Sequence, residues 1–191
     1  VDTASAYPGE NVTLGLNLLN ELKVGGFDFV LQYDPTALSL LGYTNAGTRS
    51  ESFEYFAVVN NYQGSAGNIH VVGTANLPVA PITPSLAVGD GPLAELTFKT
   101  TSNLAYAGYN VPVRFGYLDL PGMNVLYDSV NLAISDNDVV YTDGAVRIRS
   151  IGNVKIGDIN LNGLSNEIGD VIYFTNYFIN PQLYGFNALQ Y

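Results

Sequence analysis

The chain has 191 residues, 47% hydrophobic and only 13% charged, with seven Lys+Arg against 17 Asp+Glu and a formal net charge of −10. So few cations cannot assemble a basic patch, which argues against nucleic acid and against anionic membrane surfaces as partners. With no cysteine there is neither a disulfide framework nor a thiolate metal site. No membrane span is visible, and the chain starts at Val1 rather than Met, so a mature secreted product with its leader removed is expected.

In chain order, the Pro8-Gly9 turn leads into Asn11–Leu19, where Val12, Leu14, Leu16 and Leu18 alternate onto one face of a strand. Asn11-Val12-Thr13 is also a formal glycosylation sequon, though a short pattern that matches cheaply. Gly25-Gly26 punctuates; Phe27–Tyr33 alternates again and Asp34-Pro35 starts a turn. Leu38–Tyr43 reads as a short strand, Asn45–Glu54 as a polar loop, Phe53–Asn60 and Gly67–Thr74 as strands. The only histidine, His70, falls in the last of these and reads as a packed residue with one satisfied hydrogen bond. Leu77–Pro84 carries too many prolines for a central strand. Leu93–Thr100, Val111–Tyr117 (an edge, by Pro112), Asn131–Ile134 and Gly144–Arg149 complete the set. About nine short strands and no long helix before residue 150 predict a mainly β fold, a two-sheet antiparallel sandwich.

The order of these signals resembles a cohesin module over roughly residues 1–149. The likeness rests on Pro8-Gly9-Glu-Asn-Val-Thr-Leu, Gly26–Pro35 with its Tyr33-Asp34-Pro35 block followed by Leu38, Leu93–Phe98, and Asp143–Ile148. It implies a jelly roll without catalytic activity that grips dockerin helices with one sheet face.

Past the short linker 150–153, residues 154–191 differ in kind. Asp158, Asn160 and Asn162 alternate and are followed at once by Gly163. Alternating oxygens on a curving loop suit a hard cation such as Ca2+, the glycine permits the sharp turn, and the Leu164 carbonyl joins the set. The closing acid expected at the twelfth position falls on Gly169, so Asp170 closes a loop expanded by one residue, assisted by Glu167 three positions earlier on the same helical face. An Asx-turn capping the next helix is the plainer alternative.

That helix runs from Ile168 to Ile179 and must stop before Pro181. Ile168, Ile172 and Ile179 share one face, Val171, Phe174 and Phe178 the next, Tyr173 and Tyr177 a third. A helix apolar nearly all round needs cover on more than one side, so Ile168, Val171, Ile172, Phe174, Tyr177 and Phe178 are expected to contact a partner. The loop and helix resemble the first half of a dockerin; the second half is missing, because the tail after Pro181 has no Asp. Either a second repeat was removed or half a dockerin suffices.

Both halves of a lock on one chain, joined by so short a linker, favour engagement of a neighbouring copy. Extended chain spans only ~3.3–3.6 Å per residue, and a heterologous contact that does not close propagates into a fibre. The expected protein is a non-catalytic, Ca2+-binding structural protein of the extracellular space or cell surface. Its expected partners are other copies of itself or other dockerin- or cohesin-bearing proteins. A scaffold module for carbohydrate or dockerins, with the helix packed in cis, is the alternative. The apolar tail, residues 183–191, could add to a neighbour's sheet or pack on its own sandwich. Asp136, Asn137 and Asp138 with Asp143 form a weaker cation candidate, and Glu95, Asp119 and Asp128 a still weaker glycosidase set.

Overall fold

The computed structural model describes residues 1–75, 83–118, 122–150 and 168–179. Two compact units divide the chain, Val1–Arg149 and Ser150–Tyr191. Among its described residues the first holds ten strands: β1 Thr3–Ala6, β2 Asn11–Asn20, β3 Val24–Tyr33, β4 Leu38–Thr44, β5 Tyr55–Asn60, β6 Asn68–Thr74, β7 Gly89–Thr100, β8 Asn110–Phe115, β9 Val125–Asp128 and β10 Gly144–Ile148. The second contributes one described helix, α1, Ile168–Ile179.

A seven-stranded sheet runs β1-β10-β8-β3-β6-β5, with β9 also paired to β3, and a three-stranded sheet runs β2-β7-β4. Alternation supplies the core between them. Leu14 and Leu16 of β2 and Leu96 and Phe98 of β7 meet Phe27, Leu31, Ile69 and Val71 from the larger sheet, all fully buried. Gly73 is part of this packing: a Cβ there would lie 2.5 Å from the Phe27 ring, so only glycine leaves room for that ring.

The Tyr33-Asp34-Pro35 block is a fold device. The Tyr33 ring makes an edge contact with Phe98 at 5.3 Å, joining the sheets. Asp34 Oδ1 accepts from the Thr36 N–H at 2.8 Å and the Thr36 hydroxyl at 2.6 Å, closing the turn into β4. Those two donors, the hydroxyl first, hold the Asp34 carboxyl below its ordinary value near 3.8.

The structure corrects four expectations. β1 was not anticipated, and it pairs with β10 in parallel, so the sandwich is not wholly antiparallel. β8 is an interior strand despite Pro112. Only Val113–Phe115 pair with β3, so Pro112 lies past the end of β3, where its missing N–H breaks no ladder on that side. The strand expected at Asn131–Ile134 is instead a turn, with Asp128 Oδ1 accepting from the N–H of Val130 and Leu132, each at 2.9 Å, and Ala133 forming only a single bridge to Tyr127. The true strand there is β9, immediately before it.

β3 has two successive neighbours on one side, β9 along its first half and β8 along its last three residues. The gap between them falls at Val30, and the buried side chain of Asn124 fills it. Asn124 Oδ1 accepts from the Val30 N–H at 2.8 Å, and its amide donates to the Gly116 carbonyl. One side chain therefore replaces a missing stretch of ladder.

Candidate functional site

Alternation turns Asp28, Val30 and Gln32 of β3, Asn68, His70 and Val72 of β6, and Tyr55, Ala57 and Val59 of β5 away from the core. The register sets Val59 opposite His70, and His70 opposite Val30. The result is a surface over β5 and β6 that reaches the polar Asp28 and Gln32 of β3, apolar at β5, with Val30 and Asn68 beneath it fully or nearly covered.

Its side chains are held by one another. His70 Nε2 lies 2.7 Å from Asp28 Oδ1, with the two side chains 17% and 29% exposed. The Tyr62 ring covers the imidazole at a centroid distance of 4.5 Å. The expected packed histidine with a satisfied hydrogen bond is found. At the far end Gln32 Nε2 donates to Asn68 Oδ1 at 3.2 Å, and Asn68 Nδ2 donates to the Tyr117 hydroxyl at 2.7 Å. On β5, Tyr55 and Val59 remain 49% and 48% exposed. Fixed polar groups beside unpaired apolar side chains are the usual anatomy of a protein-binding patch. Alternation alone allowed for this surface, but which face was the informative one could not be read until the strand order was known.

Other candidates separate. Glu95 faces out from β7 in the three-stranded sheet, Asp128 closes the turn after β9 in the other sheet, and Asp119 lies outside the described residues. Glu95 and Asp128 thus share no face on which a glycosidase pair could work. Asp136 and Asp138 sit exposed in one 3-10 turn, while Asp143 Oδ1 accepts from the Phe115 N–H at 3.0 Å. Among the described residues no three His, Cys, Asp or Glu side chains gather as for a metal.

In the second unit, Asp158, Asn160, Asn162, Leu164 and Glu167 lie outside the described residues, as does the tail 183–191. Asp170 is in the first turn of α1 and is 2% exposed, the one buried residue of that helix. Ile168, Val171, Ile172, Phe174 and Phe178 are exposed, and Tyr177 is half-buried. Phe174 and Phe178 touch edge to face at 4.9 Å, and Tyr177 and Phe178 at 5.5 Å. Among the described residues no helix is long and apolar enough to cross a membrane.

The two packed sheets define the class of β-sandwich, jelly-roll modules. The family profile described as cohesin domain matches residues 1–115, and the chain belongs to the cohesin family. Cohesin domains are non-catalytic protein-interaction modules.

The fold is similar to that of the sixth cohesin of scaffoldin B from Acetivibrio cellulolyticus, solved in complex with a Cel5 dockerin: TM-score 0.60, 22% identity, 78% of this chain and 95% of that one. It is also similar to the OlpA cohesin from Clostridium thermocellum, solved with a dockerin (0.60, 15%, 77% and 94%). A non-cellulosomal cohesin from the archaeon Archaeoglobus fulgidus aligns too (0.55, 18%, 79% and 89%). No curated protein matches the chain significantly in sequence.

Proposed function

We propose that the sandwich is a docking module whose client is a dockerin-type loop and helix, received on the outward face of β3, β6 and β5. Family membership carries this reading, and two of the similar structures are cohesin–dockerin complexes. The half-exposed Tyr55 and Val59 would supply the apolar contact, at about 25 cal/mol per Å2 of apolar surface covered. The His70–Asp28 pair and the Gln32–Asn68–Tyr117 chain are already tied down, so docking would cost little side-chain ordering. Titration calorimetry of the chain against a dockerin in Ca2+ tests this, and heat that survives Val59→Asp unchanged would remove this face from the reading.

A finer reading concerns α1. Its exposed Val171, Phe174 and Phe178 favour a client role for this chain's own second unit, received by the sandwich of another copy in head-to-tail assembly. Asp158, Asn160, Asn162, the Leu164 carbonyl, Glu167 and Asp170 would hold Ca2+ and fix the start of the helix. A cohesin-bearing assembly of this kind belongs outside the cell, where Ca2+ is abundant. Sedimentation velocity with and without EDTA tests it: assemblies that dissolve on chelation are expected, and a distribution indifferent to EDTA counts against it.

A further inference from the structure

A groove of about 900 Å3 opens in the sandwich between β2 and the segment Val139–Thr142. Its floor is made by Phe29, Phe115 and Leu126, the two rings in edge contact at 5.5 Å. One wall is the last part of β2. That strand ends the three-stranded sheet. Asp2 donates its N–H to Gly15 on the outer side of β2, but beyond Asn17 only β7 pairs with it among the described residues. An uncovered edge offers N–H and C=O groups at every second residue. The other wall starts with Val139, extended at φ −118° and ψ 126°, and Val139–Thr142 belongs to no strand.

Two further observations say what fits. Apolar side chains crowd the mouth: Val140 is 92% exposed and Leu19 74%. The charged groups lining the groove are the carboxylates of Glu21, Asp90 and Asp138 and the Val1 ammonium, which donates to the Thr142 carbonyl at 2.8 Å, with no lysine or arginine, and none of the three carboxylates is in an ion pair among the described residues. Arg49, close to the same end of β2, is tied to neutral acceptors rather than to these carboxylates. Its guanidinium donates to the carbonyls of Leu18, Gly89 and Ala87 and to Asn20 Oδ1.

We propose that this groove is a second docking site, separate from the β3-β6-β5 face, for an extended peptide of alternating apolar residues flanked by lysine or arginine. An extended strand uses the open edge of β2 and places alternate side chains on the aromatic floor. A helix, whose backbone bonds are satisfied internally, gives that edge nothing. The cationic flanks follow from three carboxylates set against a single ammonium.

The test is selection of a phage-displayed random ten-residue library on the full chain, followed by titration of the enriched synthetic peptides. Alternating apolar sequences with basic flanks should be enriched. Their Kd should rise at least tenfold in Leu19→Ser/Val140→Ser and at least tenfold in Glu21→Lys/Asp90→Lys, with dockerin binding unchanged in both. These positions are exposed, so melting temperatures should stay near that of the parent and exclude unfolding as the cause. The proposal is overturned by no enrichment over the carrier, by peptides indifferent to both variants, or by peptides that a dockerin displaces. It is equally overturned if an uncharged apolar dye binds where no peptide does, or if Leu19→Ser/Val140→Ser abolishes self-association, which would make the occupant a second copy.

Discussion

The two sheets share one core but differ on their outward faces. Apart from Leu19 near the end of β2 and Leu41 at the bulge of β4, the three-stranded sheet shows water Thr13 and Asn17 from β2 and Glu95, Thr97 and Lys99 from β7, with the Thr13 and Thr97 hydroxyls 3.1 Å apart. The seven-stranded sheet shows Tyr55 and Val59 beside a histidine–aspartate pair. Short polar side chains that bond to each other lose little by staying wet, whereas half-exposed apolar ones gain by being covered. Both faces obey the same alternation; what occupies the outward positions separates a largely solvated wall from the proposed docking surface.

The sharpest way to break this contrast is to place one charge on each face. Val59→Asp should weaken dockerin binding by about 100-fold, roughly 2.7 kcal/mol, while Thr97→Asp should leave the calorimetric Kd within about twofold. Equal losses would erase the distinction. Next in size, Gly73→Ala should cost about 2 kcal/mol in urea unfolding, since its Cβ meets the buried Phe27 ring. The matching change in the smaller sheet, Gly15→Ala, should cost less, because the nearest atom is the exposed carboxylate tip of Asp2, which can move at the expense of its surface hydrogen bonds to the Gly15 N–H and Asn17 Nδ2. Asn124→Ala should cost about 1.5 kcal/mol by stranding the Val30 N–H and Gly116 carbonyl, with faster amide exchange at Val30 as the local signature.

Smaller effects follow. Asp34 is held below its ordinary pKa by Thr36. Its contribution is therefore fully present above the unfolded value near 3.8 and is lost as pH falls through the lower folded value. Melting curves from neutral to acid pH should fall less steeply below about pH 4 in Asp34→Asn. Smallest of all, Thr13→Val should change stability by a few tenths of a kcal/mol and leave dockerin binding untouched.

Most of the sandwich was legible because period-two alternation and turn residues are local. β2, β3, β6 and β7 were placed within a few residues, as was the packed, hydrogen-bonded state of His70. What escaped depends on partners far along the chain. Thr3–Ala6 has no apolar alternation of its own and becomes a strand only because Gly144–Ile148 lies beside it. Val125–Asp128 is too short to signal, and its pairing with β3 is a tertiary matter. Asn124 looked like any turn residue; its left-handed φ of 56° and its two buried bonds appear only in the fold. For α1 the sequence foretold an apolar surface wider than one face, and Val171, Ile172 and Phe178 are indeed exposed. The proposed docking face was the least legible part, since Tyr55, Val59 and His70 meet only through strand order.

The parallel pairing of β1 with β10 also bears on how the sandwich resists force. Thr3 to Ala6 run alongside Ala145 to Ile148 in the same direction. Tension applied between Val1 and Arg149 therefore pulls the two strands lengthwise past each other and loads their cross-links together. In an antiparallel pair pulled from one end, those bonds would open in succession like a zipper. The first unit should accordingly yield abruptly, at a single high rupture event, when stretched between those residues.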